Sequence, residues 1–227
     1  MDIETLKKLG DFFDKFPLLN YKKGETIIRS DDEPTGVYYL KSGYVKMNSI
    51  FENGSELTLN IFKPGSFFPM TWAIADVKNT YYFLAMADTS VQKAPKNKVV
   101  EFLKENPDIL FDLTKRILIG LDGLLTNVSH LLFGSAQNRV ASAILISAKR
   151  FGDKKVDGKI TINLNLTHQD IANLAGLTRE TTSIAIGQLE KAGILSQIKH
   201  QFVVNDIEKL EEEIFISENI ESTPSTI

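Results

Sequence analysis

The chain of 227 residues contains no cysteine. Disulfides, thiolate zinc sites, cysteine-ligated iron–sulfur clusters and thiol redox sensing are excluded together. Histidine is scarce: His130, His168 and His200 stand far apart, so no metal site is expected. No apolar run reaches the roughly 20 residues that a membrane-crossing helix needs. The opening MDIETLKKLGDFF has no secretory core, and a cytoplasmic protein without a membrane partner is the expectation. No nucleophile beside a base, metal-ligand spacing or phosphate-cradling loop is evident, so no enzyme is expected.

What is present divides by character along the chain. Residues 1–16 carry Ile3, Leu6, Leu9, Phe12, Phe13 and Phe16 at helical spacing, and Pro17 ends that helix. From Leu18 to Pro95 come short β-branched and aromatic segments, ETIIRS, GVYYLKSGYVKMNSIF, SELTLNIF, TYYFLAMA and TSVQKA, punctuated by Gly24, Gly36, Gly43, Gly54 and Gly65. That density of strands and turns predicts an antiparallel roll, with Asn53-Gly54 as a hairpin signal. Lys98 to Asn106 reads as a short helix, giving a first domain over 1–106.

A long helix over 107–134 follows, with Ile117, Leu121, Leu124, Val128 and Leu131 in alternating steps of four and three. That spacing fits a seam between two helices; a helix packed on its own β-domain is the alternative. Leu118, Leu125 and Leu132 widen the apolar face; Gly120 and Gly123 allow close approach or mark an adjustment of the helix. Phe133-Gly134-Ser135 reads as a hinge. Gln137 to Phe151 reads as a helix burying Val140, Ile144 and Ile146, GDKKVDG as a loop, and Lys159 to Leu166 as a strand. After a last helix, Ile207 to Ile216, the Glu- and Ser/Thr-rich end is expected to be disordered; 208–227 form an acidic tail.

Between them, THQDIANLAGLTRETTSIAIGQLEKAGIL predicts two short helices joined at Gly176. Thr167 caps the first, with Asp170 returning the bond; Thr178 caps the second, the helix Arg179 to Ala192. Ile171, Ala172, Leu174 and Ala175 form the first buried face and Ile184, Ile186 and Leu189 the second. Arg179, Glu180 and Ser183 stay exposed at the end that reaches base edges in a helix-turn-helix. A helical hairpin within a larger core has the same pattern. The apolar runs Leu195–Ile198 and Phe202–Val204 around Lys199, His200 and Gln201 add a hairpin with a basic tip, suited to phosphate. Charge agrees: 135–207 hold nine Lys/Arg against six Asp/Glu, although the whole chain is at −3.

The order of elements resembles the Crp/Fnr family of bacterial transcription regulators over nearly the full length. KKGETIIRSDDEPTGVYYLKSGYVKM, with ENGSELTL and FKPGSFF, resembles the cyclic-nucleotide-binding roll, and the helix pair resembles the family's DNA-binding motif. The resemblance implies an α+β chain: an N-terminal antiparallel β-roll of the double-stranded β-helix or jelly-roll kind, a long dimerisation helix and a C-terminal winged helix-turn-helix over 135–207. It implies a homodimer on double-stranded DNA, with RNA polymerase as a partner. Arg179 and Glu180 match positions that face base edges, Gln169, Thr178 and Thr181 match phosphate contacts, and Lys199 and His200 lie on the matching wing. Ser183 is a further candidate. Ile184 stands where the family often has an arginine.

The sensor half departs from the pattern. Nucleotide-binding members follow the turn matching Pro64-Gly65 with a Gly-Glu pair for the ribose and later place an Arg-Ser or Arg-Thr pair on the phosphate. Here Phe67, Phe68, Pro69 and Met70 occupy the first region and Asn79-Thr80 the second. Without the arginine fork, cyclic AMP is not the expected effector. Some relatives bind haem, but no histidine lies in the roll and His130 reads as a partly exposed helix residue, so no cofactor is expected. Phe67, Phe68, Trp72, Thr80, Tyr81 and Tyr82 either line a pocket for an unidentified small-molecule effector or fill the roll's own core. A sensor whose winged domain contacts protein rather than DNA is the alternative function.

Overall fold

The computed structural model describes residues 3–155 and 157–215, and the side chains of all of these but 3, 126, 127, 130–133 and 215. The expectations for His130, for the side chain of Leu131 and for the tail beyond 215 lie outside this description. The chain divides into two compact units, Met1–Asp122 and Gly123–Ile227.

The first unit opens with α1 (Ile3–Phe13). Eight strands follow: β1 (Leu18–Tyr21), β2 (Thr26–Ile28), β3 (Val37–Ser42), β4 (Val45–Ile50), β5 (Glu56–Phe62), β6 (Phe67–Phe68), β7 (Tyr82–Ala85) and β8 (Thr89–Ala94), with α2 (Met70–Ala75) between β6 and β7. They pair antiparallel in two four-stranded sheets, β1-β8-β3-β6 and β2-β7-β4-β5. This is the expected roll. Asn53 and Gly54 lie in the β4–β5 hairpin, where Gly54 takes φ +78 and Asn53 Oδ1 accepts from Ser55 N at 3.0 Å.

The strand β3 explains how so short a roll builds two cores. Successive side chains of a strand point to opposite faces. Tyr38 and Leu40 therefore enter the core that also holds Ile28, Val45, Phe68, Phe83 and Val91. Val37 and Tyr39 enter a second core with Leu9 and Phe13 of α1, Phe67 and Trp72. Phe13 stacks on Tyr39 at 4.8 Å. Helix α3 (Lys96–Glu105) closes that second core with Val99 and Leu103.

Helix α4 (Pro107–Phe133) starts where Asn106 O accepts from Ile109 N and Leu110 N, both at 3.1 Å. Pro107 suits the first helical position, which needs no N–H. Ile109 and Leu113 are buried in the second core, so the first two turns pack on the helix's own domain. From Ile117 onward the apolar side chains emerge: Ile117, Leu121, Leu124 and Val128 are between 41% and 53% exposed, and Leu118, Ile119 and Leu125 are exposed too, as is Phe111 in the first two turns. The helix continues through Gly120 and Gly123, beside which space is open.

The second unit holds α5 (Ala136–Phe151), β9 (Gly152–Lys154), β10 (Ile160–Ile162), α6 (His168–Ala175), α7 (Arg179–Lys191), β11 (Leu195–Ile198), β12 (Gln201–Val204) and α8 (Ile207–Phe215). Its sheet runs β11-β12-β10-β9. Helix α8 buries Leu210 and Ile214 and joins α5 through Asn138 Nδ2 to Glu213 O and Lys149 to Glu211 at 2.7 Å. Two expectations are corrected. Residues 152–154, read as loop, form an edge strand whose polar sequence carries no apolar alternation. The strand read as Lys159 to Leu166 stops at Ile162, because Asn163 N turns to Phe151 O and Leu166 N to Leu164 O.

Candidate nucleic-acid interface

The helix pair is fixed at each joint by its own sequence. Thr167 and Asp170 form a reciprocal capping box: Asp170 N donates to Thr167 Oγ1 at 3.1 Å and Thr167 N to Asp170 Oδ2 at 3.0 Å. Such a cap contributes about 0.5–2 kcal/mol. Gly176 closes α6 in the left-handed conformation, φ 61 and ψ 43, which favours glycine there. Thr178 Oγ1 then accepts from Thr181 N at 3.2 Å to start α7.

A residue outside the motif holds the turn. Arg139 of α5 donates from Nε and Nη2 to Ala175 O at 2.9 and 2.6 Å and from Nη2 also to Gly176 O. Burial pulls its guanidinium below the ordinary value. Sequence reasoning missed Arg139, since its partners lie 36 and 37 positions away and no local pattern announces them.

The buried stripe of α7 is Thr182, Ala185, Ile186 and Leu189, at spacings that return to one helix face. Ile184 is therefore not buried, contrary to expectation: it belongs to the opposite face and is 65% exposed. Glu180, Ile184 and Gln188 are exposed in steps of four. In the same way, Leu174 and Ile146 are only half-buried, and Asn173 and Ser147 sit in the buried positions near them.

The eight residues expected to touch DNA all lie in this unit, and they fall into distinct states. Arg179 and Glu180 are exposed, and no hydrogen bond or ion pair ties their side chains to another described residue. Thr178 and Thr181 share a hydroxyl–hydroxyl hydrogen bond of 3.0 Å. Gln169 Nε2 donates to Asn173 Oδ1 at 2.7 Å. Ser183 Oγ shares a 2.8 Å hydrogen bond with Nδ1 of His168, whose ring stacks 6.1 Å from that of Phe202 in β12. His168 thus connects α6, the Ser183 face of α7 and the wing, a role that its sequence position did not disclose.

Lys199 and His200 form the two-residue turn of the wing, between Ile198 and its cross-strand partner Gln201, and both have positive φ, 50 and 66. Two-residue turns with both central residues at positive φ favour Asn-Gly, and other side chains are strained there. The wing trades turn stability for a basic, exposed tip. Replacing the pair, Lys199→Asn with His200→Gly, is expected to stabilise this unit by about 1–2 kcal/mol, read as a higher denaturant midpoint; an unchanged midpoint would show that the turn is not strained.

In the roll, the six residues considered for an effector pocket are not brought together. Phe67 and Trp72 belong to the core against α1 and α3, and Phe68 to the core between the sheets, against which Tyr81 packs. Tyr82 is half-buried at the pair with Asn48, and Thr80 is exposed. Phe62, Phe68 and Phe83 fill the space between the sheets, with centroids 5.0 Å apart for Phe62–Phe68 and for Phe68–Phe83. Asn79 is buried and turned into its own backbone: Nδ2 donates to Arg29 O and Tyr81 O, both at 2.9 Å.

Comparison with known proteins agrees with both halves. Residues 18–106 match the family model of the cyclic nucleotide-binding domain and residues 138–213 that of the Crp-like helix-turn-helix domain. The global nitrogen regulator of Nostoc sp. is 32% identical over 191 residues, 82% of this chain and 83% of its own. The transcriptional regulator SdrP of Thermus thermophilus is 27% identical over 175 residues, 77% of this chain and 82% of its own. Among solved structures, a CooA mutant from Carboxydothermus hydrogenoformans matches with a TM-score of 0.75 at 27% identity, over 89% of each chain. By sequence and by fold, the chain belongs to the Crp/Fnr family of transcription regulators.

Proposed function

We propose that two copies of this chain bind a roughly palindromic double-stranded DNA site, with one α7 in each of two successive major grooves about 34 Å apart. The observation that carries this is the capped start of α7, where Arg179 and Glu180 stand exposed and uncommitted. An arginine fork suits the O6/N7 edge of guanine, and a carboxylate suits cytosine N4. Gln169, Thr178, Thr181, Lys199 and His200 supply phosphate contacts, and Ser183 an additional polar contact at the base edges. Residues 1–106 act as the sensor, 107–134 as the pairing helix, 135–207 as the reader and 208–227 as an acidic tail.

Cyclic AMP is not the effector in this reading. Three phenylalanines fill the space between the sheets, the region of the ribose pair reads Phe67, Phe68, Pro69 and Met70 without a carboxylate, and Asn79 bonds to its own loop. Titration of a labelled operator, with and without cyclic AMP at several salt concentrations, tests the proposal. Affinity is expected to fall steeply with salt and to ignore the nucleotide. The Asn-Gly wing is expected to reduce the salt slope by about two per dimer, one for each lysine lost. Binding without salt dependence or sequence preference would favour a winged domain that contacts protein; tightening by cyclic AMP would overturn the effector reading.

A further inference from the structure

In the described part of the winged unit beyond α4, only Ile184 and Ile198 are large apolar side chains left exposed, and Ile184 lies on the recognition helix itself. It stands one turn after Glu180, on the same face. An isoleucine in a helix keeps essentially one χ1 rotamer, so this is a stiff apolar knob rather than a mobile chain. Its surroundings leave it proud. Ser183 is tied by its 2.8 Å bond to His168, and Gly187, one turn further on, has nothing within 4 Å of where a Cβ would stand.

The edges of base pairs in the major groove are nitrogen and oxygen donors and acceptors, with one apolar exception, the C5-methyl group of thymine. We infer that Ile184 packs on a thymine methyl in each half-site and is a specificity-determining residue. The inference rests on the DNA-binding reading above and adds a base identity to it. Glu180 and Ile184 then read neighbouring pairs by different chemistry, one by hydrogen bonding and one by apolar contact.

Deoxyuridine removes that methyl and keeps base pairing. Operators recovered by the full-length protein from a random pool should be resynthesised with each thymine replaced singly and in symmetric pairs. One symmetric position is expected to cost about fourfold in affinity per half-site and about fifteenfold for both, the worth of one buried methyl group. Ile184→Ser should bind the thymine and uracil operators equally at that position while keeping its guanine preferences, with an unchanged melting curve, because the residue is exposed. If no position responds to methyl loss, or if the response persists in Ile184→Ser, the inference fails while the DNA-binding reading stands. If the wild type recovers no preferred operator at all, both fail.

Discussion

Arg179→Ala is expected to weaken binding to the preferred operator by about 2–6 kcal/mol per dimer, from about 1–3 kcal/mol for each bidentate base contact in two half-sites. The loss should be confined to specific binding. Arg179 has no side-chain partner among the described residues, so its removal leaves no buried group unsatisfied and the melting temperature should hold. At one base pair of each half-site the preference for guanine should relax, while preferences at other positions and the slope of affinity against salt stay nearly as they were. A competition assay with every single-base variant of one half-site reads this directly. A uniform loss across all variants would instead assign Arg179 to the phosphate backbone, and no loss would remove Arg179 from the interface.

The second large effect is expected from the middle of α4. Leu121→Asp with Leu124→Asp should convert the protein to monomers at micromolar concentration and abolish operator binding at nanomolar concentration. Ile117, Leu121, Leu124 and Val128 follow the four-and-three spacing of a two-helix seam, and their own chain leaves them between 41% and 53% exposed. Burying a leucine is worth about 1.5–3 kcal/mol, and each mutation acts twice in a symmetric pair. Carboxylates placed in the seam add their desolvation cost. A loss of at least 5 kcal/mol is about a 4,000-fold or larger rise in the dimer dissociation constant. The fold of the roll should survive, since the α4 side chains in its core are Ile109 and Leu113. Sedimentation equilibrium separates the outcomes: a double mutant that remains dimeric and binds its operator would show that the seam lies elsewhere.

Much of this was legible in the sequence because local chemistry and global fold agreed. Glycine punctuation and β-branched segments announced the strands, and Thr167, Gly176 and Thr178 marked the joints of the helix pair through backbone needs that few other residues meet. Structure departs from sequence expectation where residue type and helix phase disagree. Ile184 is apolar and so reads as core, yet Thr182, Ala185, Ile186 and Leu189 define the buried face. Phe67 and Phe68 fill the roll's own core, the second of the two readings, and adjacency in a strand sends them to two different cores. The clamp by Arg139 and the link from His168 to Ser183 depend on contacts across the fold. No periodicity carries such information.

In the proposed reading, the aromatic-filled roll and the self-bonded Asn79 leave no cradle for a cyclic phosphodiester. On that reading, control comes from a different effector or from the amount of protein present. Within the second unit, the caps at Thr167 and Thr178, the Arg139 clamp and the His168 link fix α7 against α5, α6 and β12.

The most direct test is selection from a random pool of duplex DNA by the full-length protein, with no nucleotide added. The expected product is a pair of inverted half-sites centred about one helical turn apart, about 10–10.5 base pairs, with guanine and thymine fixed within each half. A pool that shows no enrichment, or one that enriches only when cyclic AMP is supplied, would contradict the account.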